Sequence, residues 1–99
     1  MKIKILSSAM SDLLQGRQFY EEQGRGLGEY FFDSLFSDID SLTLYAGIHP
    51  VFFGYHRMLS KRFPFAIYYK TQAGAVVTVW RVLDLRRNPN RIKKSLGDT

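Results

Sequence analysis

Lys2, Ile3, Lys4, Ile5 and Leu6 alternate polar with apolar, the period of a short strand with one buried face. The period then changes. From Met10 to about Gln23 the apolar positions Met10, Leu13, Leu14 and Tyr20 recur at helical spacing. Ser7 or Ser8 is placed to cap this helix, and Asp12 is read as a first-turn carboxylate that favours the dipole. Gly24, Gly26 and Gly28 break the helix in a tight corner. The clearest periodicity follows, over about Leu27 to Tyr45, where Phe32, Leu35, Phe36, Ile39 and Leu42 form one stripe. Glu29, Asp33 and Asp40 lie off it, and Tyr30 and Phe31 widen it. Two helices joined by so short a corner predict an antiparallel helical hairpin.

Gly47-Ile48-His49-Pro50 ends the second helix, and Val51-Phe52-Phe53 reads as an apolar connector. Three strands are predicted next, at about Tyr55 to Leu59, Phe65 to Lys70 and Val76 to Leu83. The turns between them are Ser60 to Pro64 and Gln72-Ala73-Gly74, both short enough to make the strands antiparallel. Val76, Val77, Val79, Val82 and Leu83 supply both faces of the last strand, which is therefore expected to be central. Asn88 then caps a short basic helix with Pro89 in its first turn, ending at Leu96, and residues Gly97 to Thr99 are expected to fray. The expected fold class is α+β: an N-terminal strand, a helical hairpin packed on one face of a mostly antiparallel four-stranded sheet, and a short C-terminal helix. The other sheet face is expected to be open.

Length and composition fit one such domain. The chain has 99 residues, 45% hydrophobic and 15% aromatic, enough to bury a single core. It contains no cysteine, which removes disulfides, thiolate metal sites and Cys nucleophiles together and fits a reducing, cytoplasmic setting. No signal-peptide pattern or membrane-length apolar run is visible, so a soluble protein is expected.

Charge changes the picture more. The residues before Gly47 carry four Lys/Arg against seven Asp/Glu, and those from Gly47 onward carry ten against two. The strand-rich half is thus strongly cationic, which points to an anionic partner, either nucleic acid or a protein that handles it. The basic set is Arg57, Lys61, Arg62, Arg86, Arg87, Arg91, Lys93 and Lys94. Its ordinary reading is a solvated surface; the near absence of neighbouring acid favours an anion-facing one, and it forms either one patch or two.

Arg81, inside the valine-rich strand, reads in two ways. Its parity with Val77, Val79 and Leu83 puts it either on the core face, paired with Asp33 or Asp40, or on the open face with the other cations while Trp80 is core. The second is preferred. His56, next to Arg57, is the single evident candidate for proton transfer, since an imidazole titrates near neutrality, though an ordinary strand histidine is the commoner case. His49 has no evident partner. Two histidines without ligand spacing give no zinc site, and no cofactor motif is present. Tyr68 and Tyr69 are read as core rather than as a base-stacking platform. The glycine trio follows a helix, not a strand, so it is not a phosphate cradle.

The stretch from Arg57 to Leu96 resembles the RelE/ParE superfamily of bacterial toxin–antitoxin pairs. The resemblance rests on Arg57-Met58-Leu59, on Arg62-Phe63-Pro64-Phe65-Ala66-Ile67-Tyr68-Tyr69 preceded by Lys61, and on Val82-Leu83-Asp84-Leu85-Arg86-Arg87-Asn88-Pro89. It implies a growth-inhibiting toxin neutralised by a small antitoxin whose C-terminal segment wraps it. RelE-like members cut mRNA on the ribosome with strand Lys/Arg residues and a C-terminal Tyr or His; ParE-like members poison DNA gyrase without a known nuclease centre. Here Ala66 stands where RelE-like toxins place an arginine, and the segment around Asn90 and Arg91 has neither Tyr nor His. The wording is closer to the ParE-like branch.

A non-catalytic gyrase-binding toxin is therefore the preferred expectation, with the basic set as its contact surface. The alternatives are a RelE-like endoribonuclease using His56, Arg57 and Arg81, and a decayed toxin that only binds antitoxin. Apolar surface at Tyr30, Phe31, Phe52 and Phe53 is the expected antitoxin contact, with burial in the core as the competing reading.

Overall fold

The computed structural model describes residues 1–73 and 75–97; Gly74 of the second predicted turn, and Asp98 and Thr99 of the expected frayed end, lie outside the described residues. The elements run β1 (Lys2–Ile5), α1 (Ser7–Gln23), α2 (Leu27–Asp40), α3 (Leu42–Tyr45), β2 (Val51–Phe52), β3 (Tyr55–Leu59), β4 (Phe65–Gln72), β5 (Val76–Asp84) and α4 (Pro89–Gly97). The sheet has order β1-β5-β4-β3-β2. β1 is parallel to β5, and the remaining neighbours are antiparallel.

The sheet thus has five strands, not four. The extra one comes from the presumed apolar connector, where Val51 and Phe52 pair with His56 and Tyr55. Phe53 and Gly54 join them with φ of 56° and 86°, the left-handed pair that a two-residue hairpin loop demands. The long second helix is divided at Ser41, whose hydroxyl donates to the Asp38 carbonyl at 2.6 Å and so competes with the helical pattern. The predicted stripe is kept at Leu35, Ile39 and Leu42 but centres on Phe31 rather than on Phe32 and Phe36, which are half-buried; Phe31, Leu35, Ile39 and Leu42 are buried against Ile67, Tyr69, Val77, Val79 and Val82.

Two interactions fix the α1–α2 corner. Glu21 accepts from the Gly26 and Gly28 amides at 3.1 and 3.0 Å, and the Gly24 amide donates to the Tyr20 carbonyl at 3.2 Å, so the donors of the glycine trio are occupied. A Cβ at Gly28 would lie 2.5 Å from the Arg17 carbonyl oxygen, so glycine lets the two helices close on each other.

β5 is interior, as expected, but irregular. Tyr68 faces Arg81 and Tyr69 faces Val79, which leaves Trp80 as the extra residue of a bulge. The bulge resets the alternation, so Val77, Val79 and Val82 share the helical face while Leu83 joins Trp80 in a second cluster. Simple parity therefore misplaces Arg81. Beyond the end of β1, the exposed edge of β5 meets α1: Ser8 Oγ donates to the Trp80 carbonyl and the Val82 amide donates to Asp12 Oδ2, both at 3.0 Å. Arg81 donates through Nε and Nη2 to the two Asp12 oxygens, at 2.7 and 2.8 Å, and through Nη1 to the Ser95 carbonyl of α4 at 3.0 Å. Its partner is neither Asp33 nor Asp40, and it is not part of an open cationic face. The same contacts correct the helix start: Leu6 occupies the N-cap without a side-chain cap, and Asp12 lies past the first turn.

The far sheet face is not bare. Ile92 and Leu96 of α4 pack on Ala66, Tyr68 and Leu83 to form that second cluster. Tyr68 and Tyr69 are both fully buried, on opposite faces, as the core reading requires.

Candidate target-binding surface

The basic residues are gathered by the β3–β4 turn, the end of β5 and the start of α4. The turn at 60–64 is held from beneath. Asp38 Oδ2 accepts from Ser60 Oγ at 2.7 Å and from the Lys61 amide at 3.3 Å, so a buried helical carboxylate fixes its first half. Phe63 then inserts among Tyr20, Phe31 and Tyr30, with ring centroids 4.9, 5.0 and 5.5 Å away. Edge and tilted packing of this kind contributes beyond simple burial. The Leu85 amide donates to the Pro64 carbonyl at 2.8 Å, which joins the end of β5 to the same turn. Lys61, Arg62, Arg86 and Arg87 therefore lie at one end of the sheet, although sequence left open whether they form one patch or two.

α4 continues from that end. Asn88 Oδ1 accepts from the Asn90 amide at 2.8 Å, the predicted N-cap, and Pro89 fills the first helical position. Ile92 and Leu96 face the sheet, so the intervening Arg91, Lys93 and Lys94 are exposed.

The cations differ in how far they are neutralised. Arg86 is held by Asp84, with Nη2–Oδ2 at 2.6 Å and Nε–Oδ1 at 2.9 Å, and this contact pulls the Asp84 carboxyl below its ordinary range. Arg81 is committed to Asp12. Lys61, Arg62, Arg91, Lys93 and Lys94 are exposed without a carboxylate partner among the described residues, and Arg87, also exposed, makes no close ion pair although its charge helps to hold the Asp84 carboxyl low. Arg62 lies 6.0 Å from the centre of the exposed Tyr30 ring, at the limit of a cation–π contact.

The three nuclease candidates are not brought together. His56 pairs with Tyr69 on the helical face and Arg57 with Tyr68 on the other, so neighbours in sequence are separated by the sheet. His56 stacks on Tyr69 at 5.1 Å, and its Nδ1 is 2.7 Å from the His49 carbonyl, which makes that nitrogen the donor. His49 contacts the Tyr69 hydroxyl through Nδ1; burial and the neighbouring His56 both lower its pKa. Arg57 sits 3.7 Å over the Phe52 ring, and its guanidinium beside the Tyr68 hydroxyl opposes the burial that raises the tyrosine's pKa. Arg57 Nε is buried without an acceptor. No group of three or more His, Cys, Asp or Glu suited to a metal is found among the described residues, and no helix there is long and apolar enough to cross a membrane.

Of the expected antitoxin contacts, Phe31 is corrected: it is fully buried, stacked on Tyr20 and packed on Phe65. Phe52 is half-buried beneath Arg57, while Tyr30 and Phe53 are exposed. Sequence reasoning missed further exposed apolar side chains, Leu44, Tyr45, Ile48, Val51 and Leu59, around α3 and the β3 edge. Its available signal was Leu44, Tyr45 and Ile48, which fall off the helical stripe and have nothing predicted above them.

No protein-family model matches the sequence, and no curated protein matches it. Among solved structures, a chain described as "Chromosomal ParDE TA system from P. aeruginosa" is similar in fold, with a TM-score of 0.72 at 17% identity over 87% of this chain and 97% of that one. The order of elements and this likeness together give the chain the RelE/ParE-like α+β fold that its sequence motifs led us to expect.

Proposed function

We propose that this chain is the toxin of a type II toxin–antitoxin pair, acting in the cytoplasm by docking its basic sheet end and α4 onto an anionic surface of DNA gyrase. A small antitoxin holds it inactive. The observation that carries this reading is the separation of charge from proton chemistry: exposed unpaired cations converge at one end, while His56 is turned to the opposite face from Arg57. Cutting RNA requires stabilised phosphate charge and a proton carrier within reach of the same oxygens. Docking requires only a complementary surface. The structural neighbour, part of a ParDE system, is consistent with the toxin–antitoxin setting.

One observation favours a second reading. Arg57 presents a guanidinium with an orphaned Nε on the sheet face opposite the hairpin, near Lys70, whose ammonium lies 4.6 Å from the Tyr55 ring and 5.2 Å from the Trp80 ring. A RelE-like endoribonuclease would bind an RNA phosphate there. The test runs both ways on purified protein: supercoiled plasmid with gyrase, and mRNA in a translating extract. Cleaved plasmid DNA trapped on gyrase, or blocked supercoiling, with intact mRNA is the expected result. Ribosome-dependent cuts abolished by Arg57→Ala, with gyrase unaffected, would reverse the assignment. Expression harmless to growth and inactive in both assays would leave only an antitoxin-binding module.

A further inference from the structure

β3 is left half-covered by its outer neighbour. β2 pairs with Tyr55 and His56 only. The Arg57 amide then donates to the Pro50 carbonyl at 2.8 Å, but proline has no N–H to return to the Arg57 carbonyl. Beyond Pro50 the chain has turned away, with the His49 carbonyl committed to His56. On the inner side, the Ser60 amide bonds the Phe65 carbonyl at 2.9 Å, so alternation turns the Leu59 amide and carbonyl outward. They have no partner among the described residues. Unpaired strand edges of this kind are normally blunted or covered.

A cleft of about 520 Å³ runs along this edge, between Met58, Leu59 and Lys61 on one side and Tyr45, Ile48 and Pro50 on the other. Its rim is apolar and wet: Ile48 is 72% exposed, Leu59 54% and Tyr45 53%. Charge defines what fits. Lys61 is exposed at one end, and Arg57, with its acceptor-less Nε and no carboxylate partner, faces the same side of the sheet as Leu59. An antiparallel second copy centred on Leu59 would place Lys61 opposite Arg57 at both ends, like charge on like charge in a chain of net charge +5. A strand alternating apolar and acidic residues suits these cations, since Asp38, which also lines the cleft, is occupied by Ser60 Oγ and the Lys61 amide. Its apolar side chains fill the cleft, its carboxylates reach Arg57 and Lys61, and its backbone completes the ladder.

We infer that the open β3 edge is a strand-addition site for an extended, alternating apolar–acidic segment of a partner protein. Identifying that partner as the antitoxin rests on the function proposed above; the site itself does not. The probe is a synthetic eight-residue peptide of alternating Val and Glu, blocked at both ends, added to the intact chain. Amide hydrogen exchange at Leu59 should slow at least roughly tenfold at saturation, with binding that weakens as salt rises. Replacing Glu by Lys, or N-methylating the amides on the ladder side, should abolish protection. Leu59→Pro, which removes the outward-facing N–H and leaves the β4 ladder intact, should abolish peptide binding read by calorimetric titration, and Leu59→Lys, which keeps that N–H, should weaken both binding and protection. Unchanged Leu59 exchange at millimolar peptide, or equal binding by the N-methylated peptide, would overturn the proposal. So would Leu59 protection that grows with protein concentration alone, which would make a second copy the occupant. Because the readout needs neither gyrase nor growth, a harmless chain would refute the toxin assignment while leaving this site standing.

Discussion

Removing the Arg81 guanidinium should destabilise the domain far more than removing any cation of the basic surface. Arg81 and Asp12 have side-chain exposures of 17% and 7%, so solvent screens their contact little. Asp12 accepts two bonds from Arg81 and one from the Val82 amide, and Arg81 also binds the Ser95 carbonyl, so one side chain ties α1, β5 and α4 together. Arg81→Met leaves a buried carboxylate without its counter-ion, a change that costs about 3–5 kcal/mol. In a domain of this size about 3 kcal/mol lowers Tm by roughly 12–24 °C. The double variant Asp12→Leu/Arg81→Met removes both charges and leaves mainly the Val82 amide unsatisfied, at about 1–3 kcal/mol. The double variant should therefore be more stable than Arg81→Met alone. Urea unfolding of the four proteins in the cycle measures this, with hydrogen exchange in α4 reporting whether that helix loosens first. A loss below about 1 kcal/mol for Arg81→Met would mean that the pair behaves as a solvated surface contact, and the reasoning would fail.

Gly16→Ala places a Cβ 2.5 Å from the Phe31 ring, which is locked by Tyr20, Phe63 and Phe65. The clash, about 1–3 kcal/mol, should exceed the ~1 kcal/mol gained in helix propensity, so thermal melting should fall, and Phe31→Leu in the same chain should recover part of the loss. His49 has a folded pKa below its ordinary value of 6.5, so the unfolded chain binds the proton more tightly. Its contribution is present above about pH 6.5 and is lost as pH falls through the folded value; Tm should decline on that side, and His49→Asn should flatten the decline. Asp84, held low by Arg86, has the same sign at more acidic pH, removable by Arg86→Gln. Asn88→Ala should cost about 1 kcal/mol by removing the α4 cap, measurable in the same urea titrations.

The regular parts of the fold were legible because their periods are undisturbed. The α2 stripe, the hairpin corner, the Asn88-Pro89 helix start and the three-strand meander all follow from spacing and turn chemistry. What was not legible depended on tertiary partners. A two-residue strand such as Val51–Phe52 has no period to detect, and only the Phe53-Gly54 loop conformation reveals it. The bulge at Trp80 defeats parity, which is why Arg81 and Leu83 were grouped with Val77 and Val79 although they lie on the opposite face. Asp12 looked like a helix-dipole residue because its real partner is 69 positions away. Sequence supplied the basic set as a list of residues, but could not tell that Asp84 neutralises Arg86 while Lys61 and Arg62 have no such partner among the described residues. Tyr30 and Phe31 are adjacent in sequence, yet one is exposed and the other is the centre of an aromatic cluster.

The central claim is that the chain works by docking through its unpaired cations, and it is tested most directly by measuring gyrase binding against salt for two variants. Lys61→Glu/Arg62→Glu/Arg87→Glu, all exposed positions, should retain the native Tm, lose at least roughly tenfold in affinity and show a flatter salt dependence, while His56→Ala binds as the unaltered chain does. Unchanged binding by the triple variant, or an activity that disappears with His56→Ala and resides in severed mRNA, would contradict the account.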